Sequence, residues 1–240
     1  MDFLNADFFT ALITIVLIDL MLAGDNAIVI GLAARNLPKA SQRKAILWGT
    51  AGAVIIRVIA TLLIVYLLKI PFLLAVGGVV LLWIAYRLLI QEDSHEHVQA
   101  GSSLWSAVRT IVIADAAMGL DNVIAIAGAA SGSSSSDHST LLVILGLLIS
   151  IPIVVWGSTL FVSLIQRFPW IIYIGSAILA YTAAKMITHE KKLAELFDND
   201  AANWAFMIVV VIAVLALGIW SNAAKNRKNA AKRLQSSDPH

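Results

Sequence analysis

The chain has 240 residues, of which 60% are hydrophobic and 13% charged, and its mean hydropathy is +0.86. Since a soluble domain carries roughly 25% charged residues, this composition argues against a water-soluble globular fold. The net charge of +2 does not by itself indicate a nucleic-acid partner. The absence of cysteine excludes disulfides, thiolate-ligated zinc, iron–sulfur clusters and a cysteine nucleophile.

Seven apolar runs are long enough to cross a bilayer, which takes about 20 residues per helix. The sequence predicts these spans at residues 8–34, 45–68, 71–90, 107–130, 141–165, 170–187 and 204–220. A helix stop at 35–38 separates the first two, and polar segments at 91–103 and 132–136 flank the fourth. We therefore expect an all-α, polytopic membrane protein with seven transmembrane helices and no separate soluble domain.

Basic residues in the connecting loops predict the orientation of the chain, because Lys and Arg are retained on the cytoplasmic side. With the N-terminus outside, the external segments hold only Lys69, Lys185, Lys191 and Lys192, whereas twelve basic residues face the cytoplasm. The first span lacks a basic n-region and a convincing cleavage site, so it is expected to stay in the mature protein. The expected orientation in the membrane has the N-terminus outside and the C-terminus in the cytoplasm.

An internal repeat is the most informative feature of the sequence. The pattern D-x5-D-N at Asp19–Asn26 recurs at Asp115–Asn122, and Pro71 with Gly77-Gly78 corresponds to Pro169 with Gly175-Ser176. Because three spans repeat as three spans, the second copy must cross the membrane in the opposite sense. We predict two inverted three-helix repeats, at 8–90 and 107–188, then an extra helix at 203–222 and a basic tail at 223–240. Secondary transporters share this plan and bind substrate near the midplane.

Four aspartates lie inside apolar spans, where each costs about 2.5–3.5 kcal/mol unless it is compensated. They are Asp19, Asp25, Asp115 and Asp121. Only Arg57 carries a positive charge at comparable depth, so the other carboxylates must be protonated, hydrated or bound to cations. Arg57 has no basic counterpart in the second repeat, where Pro152 and Ile153 take the equivalent place. We predict that Arg57 is a counter-ion, either static or pairing with an aspartate when a metal leaves.

The spacing of the acidic residues favours a site shared between two helices. Asp19 and Asp25 rise about 9 Å and point about 120° apart on an ideal helix, so one unbroken helix cannot offer both to one ion. If the first and fourth spans cross antiparallel, with Leu22 facing Met118, every carboxylate of one span is level with one of the other. The two predicted layers are Asp19 with Asp121 and Asp25 with Asp115.

Amide oxygens next to these carboxylates complete the predicted ligand set. Asn26 and Asn122 could each add an oxygen if the helices unwind at Gly24 and Gly119. Carboxylate and amide oxygens suit hard divalent cations such as manganese, magnesium or calcium, and fit copper and zinc poorly. The predicted metal ligands are Asp19, Asp25, Asn26, Asp115, Asp121 and Asn122.

These segments resemble the TerC family of integral membrane proteins, in particular its YjbE-like branch. The resemblance rests on Ala23-Gly24-Asp25-Asn26-Ala27, on Asp115 with Gly119-Leu120-Asp121-Asn122, and on the exit segment 31–38, and it covers residues 5–190. It implies a bacterial membrane protein linked to manganese efflux, to metal supply for exported enzymes and, in some members, to tellurite resistance. It also implies that Asp19, Asp25, Asp115 and Asp121 form the ion site.

The sequence therefore predicts a carrier rather than an enzyme. It would export manganese, with calcium and magnesium as alternatives, by alternating access around the two carboxylate layers, and proton coupling is a natural hypothesis. Two other functions are weighed: a non-transporting membrane partner that helps to load metal into exported enzymes, and an intramembrane aspartyl protease suggested by 119–121. Expected partners are the divalent cation and bilayer lipid, with no nucleic acid. A homodimer and metalloenzyme partners in the membrane or outside the cell are left open.

Four further features have simpler interpretations. The acidic segment 92–97 is interpreted as a solvated loop rather than a cation collector. Gly77, Gly78, Gly175 and Ser176 are predicted to be close-packing positions between helices. Trp204 and Trp220 are predicted to anchor the last span at the interfaces, and the basic residues at 225–233 to retain the tail in the cytoplasm and to attract anionic lipid.

Overall fold

The computed structural model describes residues 6–67, 70–90, 100–131 and 139–236, and within these ranges the chain is helical with no strand. The helices are α1 (Ala6–Ala34), α2 (Lys39–Leu67), α3 (Leu73–Ile90), α4 (Ala100–Ser131), α5 (Ser139–Arg167), α6 (Ile171–Thr188) and α7 (Asp200–Ser236), with a 3-10 turn at Ala194–Leu196. The predicted all-α class is confirmed for this part of the chain. The acidic segment 92–97 and the serine run 133–136 lie outside the described residues.

Three of the described helices are long and apolar enough to cross a membrane. They are Leu73–Ile90, Ile171–Thr188 and Asp200–Arg227, with mean hydropathies of 2.2, 1.5 and 2.5. An 18-residue helix is about 27 Å long, close to the hydrocarbon thickness of about 30 Å. Shorter apolar stretches, Gly24–Ala34 and Ile151–Arg167, lie within α1 and α5. The described helices are consistent with a polytopic membrane protein.

Helices from the two halves of the chain interleave. The most extensive contacts join α1 to α5, α2 to α4 and α3 to α6, while α1 also packs on α4 and α2 on α5. The fully buried side chains Leu32, Leu81 and Leu179 belong to the larger hydrophobic cluster, which joins α1, α3 and α6. The final helix, α7, packs on α3 and α6. The two helices that carry the acidic motifs, α1 and α4, therefore each contact helices of both halves.

Helix lengths recur between the two halves. Helices α2 and α5 have 29 residues each, α3 and α6 have 18 each, and α1 and α4 have 29 and 32. Because α2 begins at Lys39 and α5 at Ser139, Arg57 corresponds to Gly157 when the two helices are matched from their first residues. The position of α5 that corresponds to Arg57 thus lies about one helical turn after Pro152 and Ile153, which the sequence analysis had matched to it. This position is also not occupied by a basic residue.

Glycines bring α3 and α6 into direct contact. A Cβ atom built on Gly78 would lie 2.6 Å from the backbone oxygen of Ala183, and one built on Gly77 would lie 2.9 Å from Cε of Met186. Gly175 makes a similar close approach to α1, and Ser176 is fully buried. The prediction that these positions allow close packing is confirmed. Since Gly77 and Gly78 lie near the start of α3 and their partners near the end of α6, the two helices run antiparallel.

Replacement of Gly78 by alanine should destabilise the protein more than replacement of Gly77. The new methyl group of Gly78→Ala meets a backbone oxygen that cannot move alone, whereas that of Gly77→Ala meets the flexible end of Met186. Overpacking of this kind costs about 1–3 kcal/mol. Thermal unfolding in detergent should therefore give the lower Tm for Gly78→Ala. Equal Tm values for the two variants would contradict this account of the helix contact.

A carboxylate from the segment after α6 caps the start of α3. Oε2 of Glu190 accepts hydrogen bonds from the backbone N–H groups of Leu74, at 3.1 Å, and Ala75, at 3.5 Å. Glu190 is buried, with 5% of its surface exposed. The first N–H groups of a helix have no acceptor within the helix, and a negative charge there also complements the helix dipole. Glu190 therefore joins the segment after α6 to the start of α3, a role that the sequence analysis missed.

Loss of this cap should lower the stability of the α3–α6 pair. We expect Glu190→Ala to cost about 1–2 kcal/mol, because two helix N–H groups lose their acceptor. Glu190→Gln keeps one acceptor oxygen and should be milder. Glu195→Ala is the matched control, since Glu195 is exposed on the 3-10 turn. Thermal unfolding compares the three variants, and a Tm for Glu190→Ala as high as that of Glu195→Ala would exclude the cap.

The last helix is longer than the predicted span at 204–220. It continues to Ser236 because the segment after Trp220 is rich in Ala, Lys and Arg, which favour helix, and contains no Gly or Pro before Pro239. Trp204 and Trp220 are 56% and 71% exposed. These two indole rings therefore face outward from the bundle, near the two ends of the apolar part of α7.

Candidate metal centre

A buried ion pair joins α2 and α4 at the level of the second acidic motif. Nη2 of Arg57 donates to Oδ1 of Asp115 at 2.6 Å, and the two side chains are 7% and 8% exposed. A bond between a guanidinium and a carboxylate is among the stronger hydrogen bonds in proteins. Breaking such a pair is costly, because the remaining charge is left buried without compensation.

The local packing of α2 on α4 explains why these two residues meet. A Cβ atom on Gly49 would lie 2.7 Å from Cδ1 of Ile111, so the helices touch about two turns before Arg57 and one turn before Asp115. Because these two contacts occur in the same order along both helices, α2 and α4 run parallel. A Cβ atom on Gly119 would lie 3.9 Å from Nε of Arg57. The guanidinium group therefore lies along α4, between Asp115 and Gly119.

The first acidic motif faces the same place from α1. Asp25 is half-buried, and its Oδ1 accepts the backbone N–H of Asn26 at 3.0 Å. Asp25 also interacts electrostatically with both Arg57 and Asp115. The structure therefore brings together one carboxylate from α1, one from α4 and the guanidinium of α2. Taken alone, these three side chains carry a formal charge of −1.

Within the described part of the chain, Asn26 offers a buried side-chain oxygen atom that accepts no hydrogen bond. The residue is 3% exposed, and among the residues that the structure describes its Oδ1 has no hydrogen-bond donor. Such a buried, unsatisfied group costs about 1–3 kcal/mol unless a ligand or water completes it. Asn26 follows Asp25 directly on α1, so a carboxylate and an amide oxygen of one helical turn are candidates for an all-oxygen ligand set.

The directions of the helices relate the two acidic motifs. Ala27 and Gly31 of α1 contact Gly157 and Phe161 of α5 in the same order, so α1 and α5 run parallel. Helices α1 and α2 are in contact and are joined by residues 35–38 alone, so they run in opposite directions. Since α2 is parallel to α4, α1 and α4 are antiparallel. This is the crossing on which the predicted pairing of Asp25 with Asp115 depends.

Three of the six predicted ligands fall outside the described side chains. Asp19, Asp121 and Asn122 lie within α1 and α4, but only their backbone is described. The pairing of Asp19 with Asp121 and the complete ligand set stay predictions. Within the described part of the chain, no group of three or more Asp, Glu or His side chains is arranged to hold a metal ion.

The helices do not unwind at the two glycines, which was the condition set for adding the amide oxygens. Helices α1 and α4 are α-helical through Gly24 and Gly119, and no described glycine has a positive φ angle. A Cβ atom on Gly119 would make an ordinary contact with Nε of Arg57 at 3.9 Å, and one on Gly24 would meet nothing within 4 Å. Asn26 therefore lies in an intact α-helix.

These features indicate a helical membrane protein with an ion pair buried between its helices. The chain belongs to the Integral membrane protein TerC family, whose profile matches residues 4–227. The family assignment made from the acidic motifs is therefore confirmed over nearly the whole chain.

Three proteins of Bacillus subtilis strain 168 are similar to this chain. The uncharacterized membrane protein YjbE is 43% identical over 211 residues, which cover 88% of this chain and 94% of YjbE. The uncharacterized membrane protein YkoY is 26% identical over 83% of this chain and 68% of its own length. YceF, also named an uncharacterized membrane protein, is 21% identical over 83% of this chain and 77% of its own length. No solved structure shows significant similarity.

Proposed function

We propose that this chain is a carrier of the bacterial cytoplasmic membrane that exports a divalent cation, manganese, from the cytoplasm. The observation that carries the proposal is the unpartnered Oδ1 of buried Asn26 beside Asp25, in the field of a second carboxylate, Asp115. A carboxylate and an amide oxygen inside a bilayer protein are costly unless a proton, water, a hydrogen-bond donor or a cation compensates them, and a cation can satisfy both groups at once. The family is linked to ion and metal transport in general, which agrees with this interpretation.

The proposed architecture is a seven-span bundle built from two inverted three-helix repeats and a seventh helix. If the two halves are structural repeats, α1, α2 and α3 are equivalent to α4, α5 and α6. The contact of α1 with α5 is then equivalent to that of α4 with α2, and the contact of α3 with α6 is equivalent to itself. Both contacts exist, and the paired helices have matching lengths. The antiparallel directions of α1 and α4 also fit an inverted repeat. The positive-inside rule then gives an external N-terminus and a cytoplasmic C-terminus.

Alternating access around the carboxylate layers is the proposed mechanism. In inverted-repeat carriers the two halves rock about a central site, which opens to one side and then to the other. Here the side chains of Asp25, Asn26 and Asp115 come from two helices of opposite halves. A relative tilt of α1 and α4 would therefore change access to the ion without moving it far.

The oxygen-only donor set supports the choice of ion. Mn²⁺, Mg²⁺ and Ca²⁺ prefer carboxylate, amide and water oxygens, whereas Cu and Zn prefer imidazole or sulfur. Manganese is the proposed cargo, with calcium and magnesium as the competing ions.

Transport by the purified chain tests the proposed function. Proteoliposomes loaded with a manganese-quenched dye should lose fluorescence when Mn²⁺ is added outside, at a rate well above that of protein-free vesicles. Ca²⁺, Mg²⁺ and Zn²⁺ in place of Mn²⁺ give the ion preference. Failure of the isolated chain to move any of these ions would contradict the carrier and favour the accessory role in enzyme metalation.

Proton coupling gives a separate expected outcome. Carboxylates close to one another can exchange protons for a metal ion, so manganese export should accelerate when the proton gradient is directed inward. The measurement is manganese flux from proteoliposomes with and without a pH gradient, together with a pH-sensitive dye. A flux that is independent of the gradient and moves no protons would exclude coupling, while the ion site would stand.

A further inference from the structure

The positive charge of Arg57 is a permanent feature of the buried site. A guanidinium group keeps its charge at any physiological pH, and Arg57 is only 6% exposed. An uncompensated charge within a membrane protein is strongly unfavourable, so Arg57 needs an anionic partner when the site holds no ion. In this structure that partner is Asp115, at 2.6 Å.

The same carboxylate is one of those proposed to bind the transported ion. Arg57 and a divalent cation would both bind Asp115, and both interact with Asp25, which feels the charge of Arg57 and of Asp115. A Cβ atom on Gly119 would lie 3.9 Å from Nε of Arg57, an ordinary contact distance, so the guanidinium lies against α4. Arg57 therefore occupies the side of Asp115 on which a cation would also have to approach this carboxylate.

The guanidinium also changes the charge of the empty site. Taken alone, Asp25 and Asp115 carry a formal charge of −2, and Arg57 reduces this to −1. Without the arginine, the empty carrier would have to change its access from one side of the membrane to the other with two uncompensated carboxylates in its site. Gly157 stands at the corresponding place of α5, so this compensating charge is present in one half of the chain only.

We infer that Arg57 is a tethered cation that competes with the transported ion for Asp115 and compensates the site when the ion has left. The inference rests on the proposed carrier function. Release of the ion to the outside would let Arg57 return to Asp115, and the empty protein could then turn back without a bound metal. Arg57 would thereby permit net export rather than ion-for-ion exchange alone.

The test compares net flux with exchange in Arg57→Gln, Arg57→Lys and the control Arg109→Gln, which removes an exposed arginine of α4. For Arg57→Gln we expect Mn²⁺ binding about tenfold tighter, because the competitor is gone, and net export about tenfold slower. Exchange of radioactive manganese across the vesicle membrane should persist. Arg57→Lys keeps the charge but not the planar fork, so its affinity should fall between those of the wild type and Arg57→Gln.

Two results would overturn the inference. One is a folded Arg57→Gln variant with lower Mn²⁺ affinity and with net export and exchange reduced equally, which is the behaviour of a static counter-ion. If Arg57→Gln fails to fold, Arg57→Lys provides the test. The second result that would overturn the inference is an Arg57→Lys variant whose Mn²⁺ affinity is no higher than that of the wild type. Wild-type protein that binds and moves no divalent cation would instead remove the proposed function and this inference with it.

Discussion

Asp25→Asn is expected to weaken manganese binding by about 100-fold or more, because it removes a charged ligand and leaves the neighbouring amide of Asn26 without a strong anionic co-ligand. The variant keeps the shape of the side chain and its hydrogen bond to the backbone of Asn26. The fold should therefore be retained while the affinity falls. Isothermal titration of Mn²⁺ into purified protein measures the change directly.

A carboxylate outside the bundle provides the control for this experiment. Asp198 is exposed in the segment before α7, and Asp198→Asn makes the same chemical change there. We expect its Mn²⁺ affinity to equal that of the wild type. Equal affinities for Asp25→Asn and Asp198→Asn would show that Asp25 is not a ligand, and the proposed site would have to be abandoned.

Asp115→Asn is expected to destabilise the protein by about 3–5 kcal/mol, since Arg57 would be left buried without its anionic partner. The double variant Arg57→Gln with Asp115→Asn replaces the ion pair by two neutral amides and should recover much of this loss. Thermal unfolding in detergent, followed by loss of the monodisperse peak in size-exclusion chromatography, gives the comparison.

A change at an exposed arginine separates this effect from a general loss of charge. Arg109→Gln alone should leave the Tm near that of the wild type, and Arg109→Gln combined with Asp115→Asn should be as unstable as Asp115→Asn, because Arg109 is exposed on α4 and has no part in the buried pair. If the double variant at Arg57 and Asp115 is as unstable as Asp115→Asn alone, the two side chains do not stabilise each other. Addition of Mn²⁺ should raise the Tm of the wild type but not that of the double variant.

The helical class and the family could be predicted because they depend on local signals. Apolar runs of membrane length and the repeated D-N motif are visible in the sequence. The glycines of α3 and α6 could be interpreted as close-packing positions because a residue without a side chain lets two helices touch. The end of α7 was placed too early, since the prediction followed hydropathy. The helix itself follows the propensity of Ala, Lys and Arg beyond Trp220.

The details of the site depend on contacts between distant residues and could not be predicted. Which of the four aspartates pairs with Arg57 is determined by the register of α2 on α4, which the contact of Gly49 with Ile111 sets. The intact helix at Gly24 and Gly119 was missed, because glycine in a sequence indicates freedom but not whether that freedom is used. Glu190 was missed because its partners at the start of α3 lie more than a hundred residues earlier.

The unbroken course of α1 and α4 limits how this protein can move. Because α1 and α4 are continuous, a displacement of one end of either helix also displaces its other end. Helix α1 is in close contact with α5, and α2 with α4, so each of these parallel pairs would move together where the helices touch. A cross-link between α1 and α4, which have no interior proline, would then arrest their relative motion.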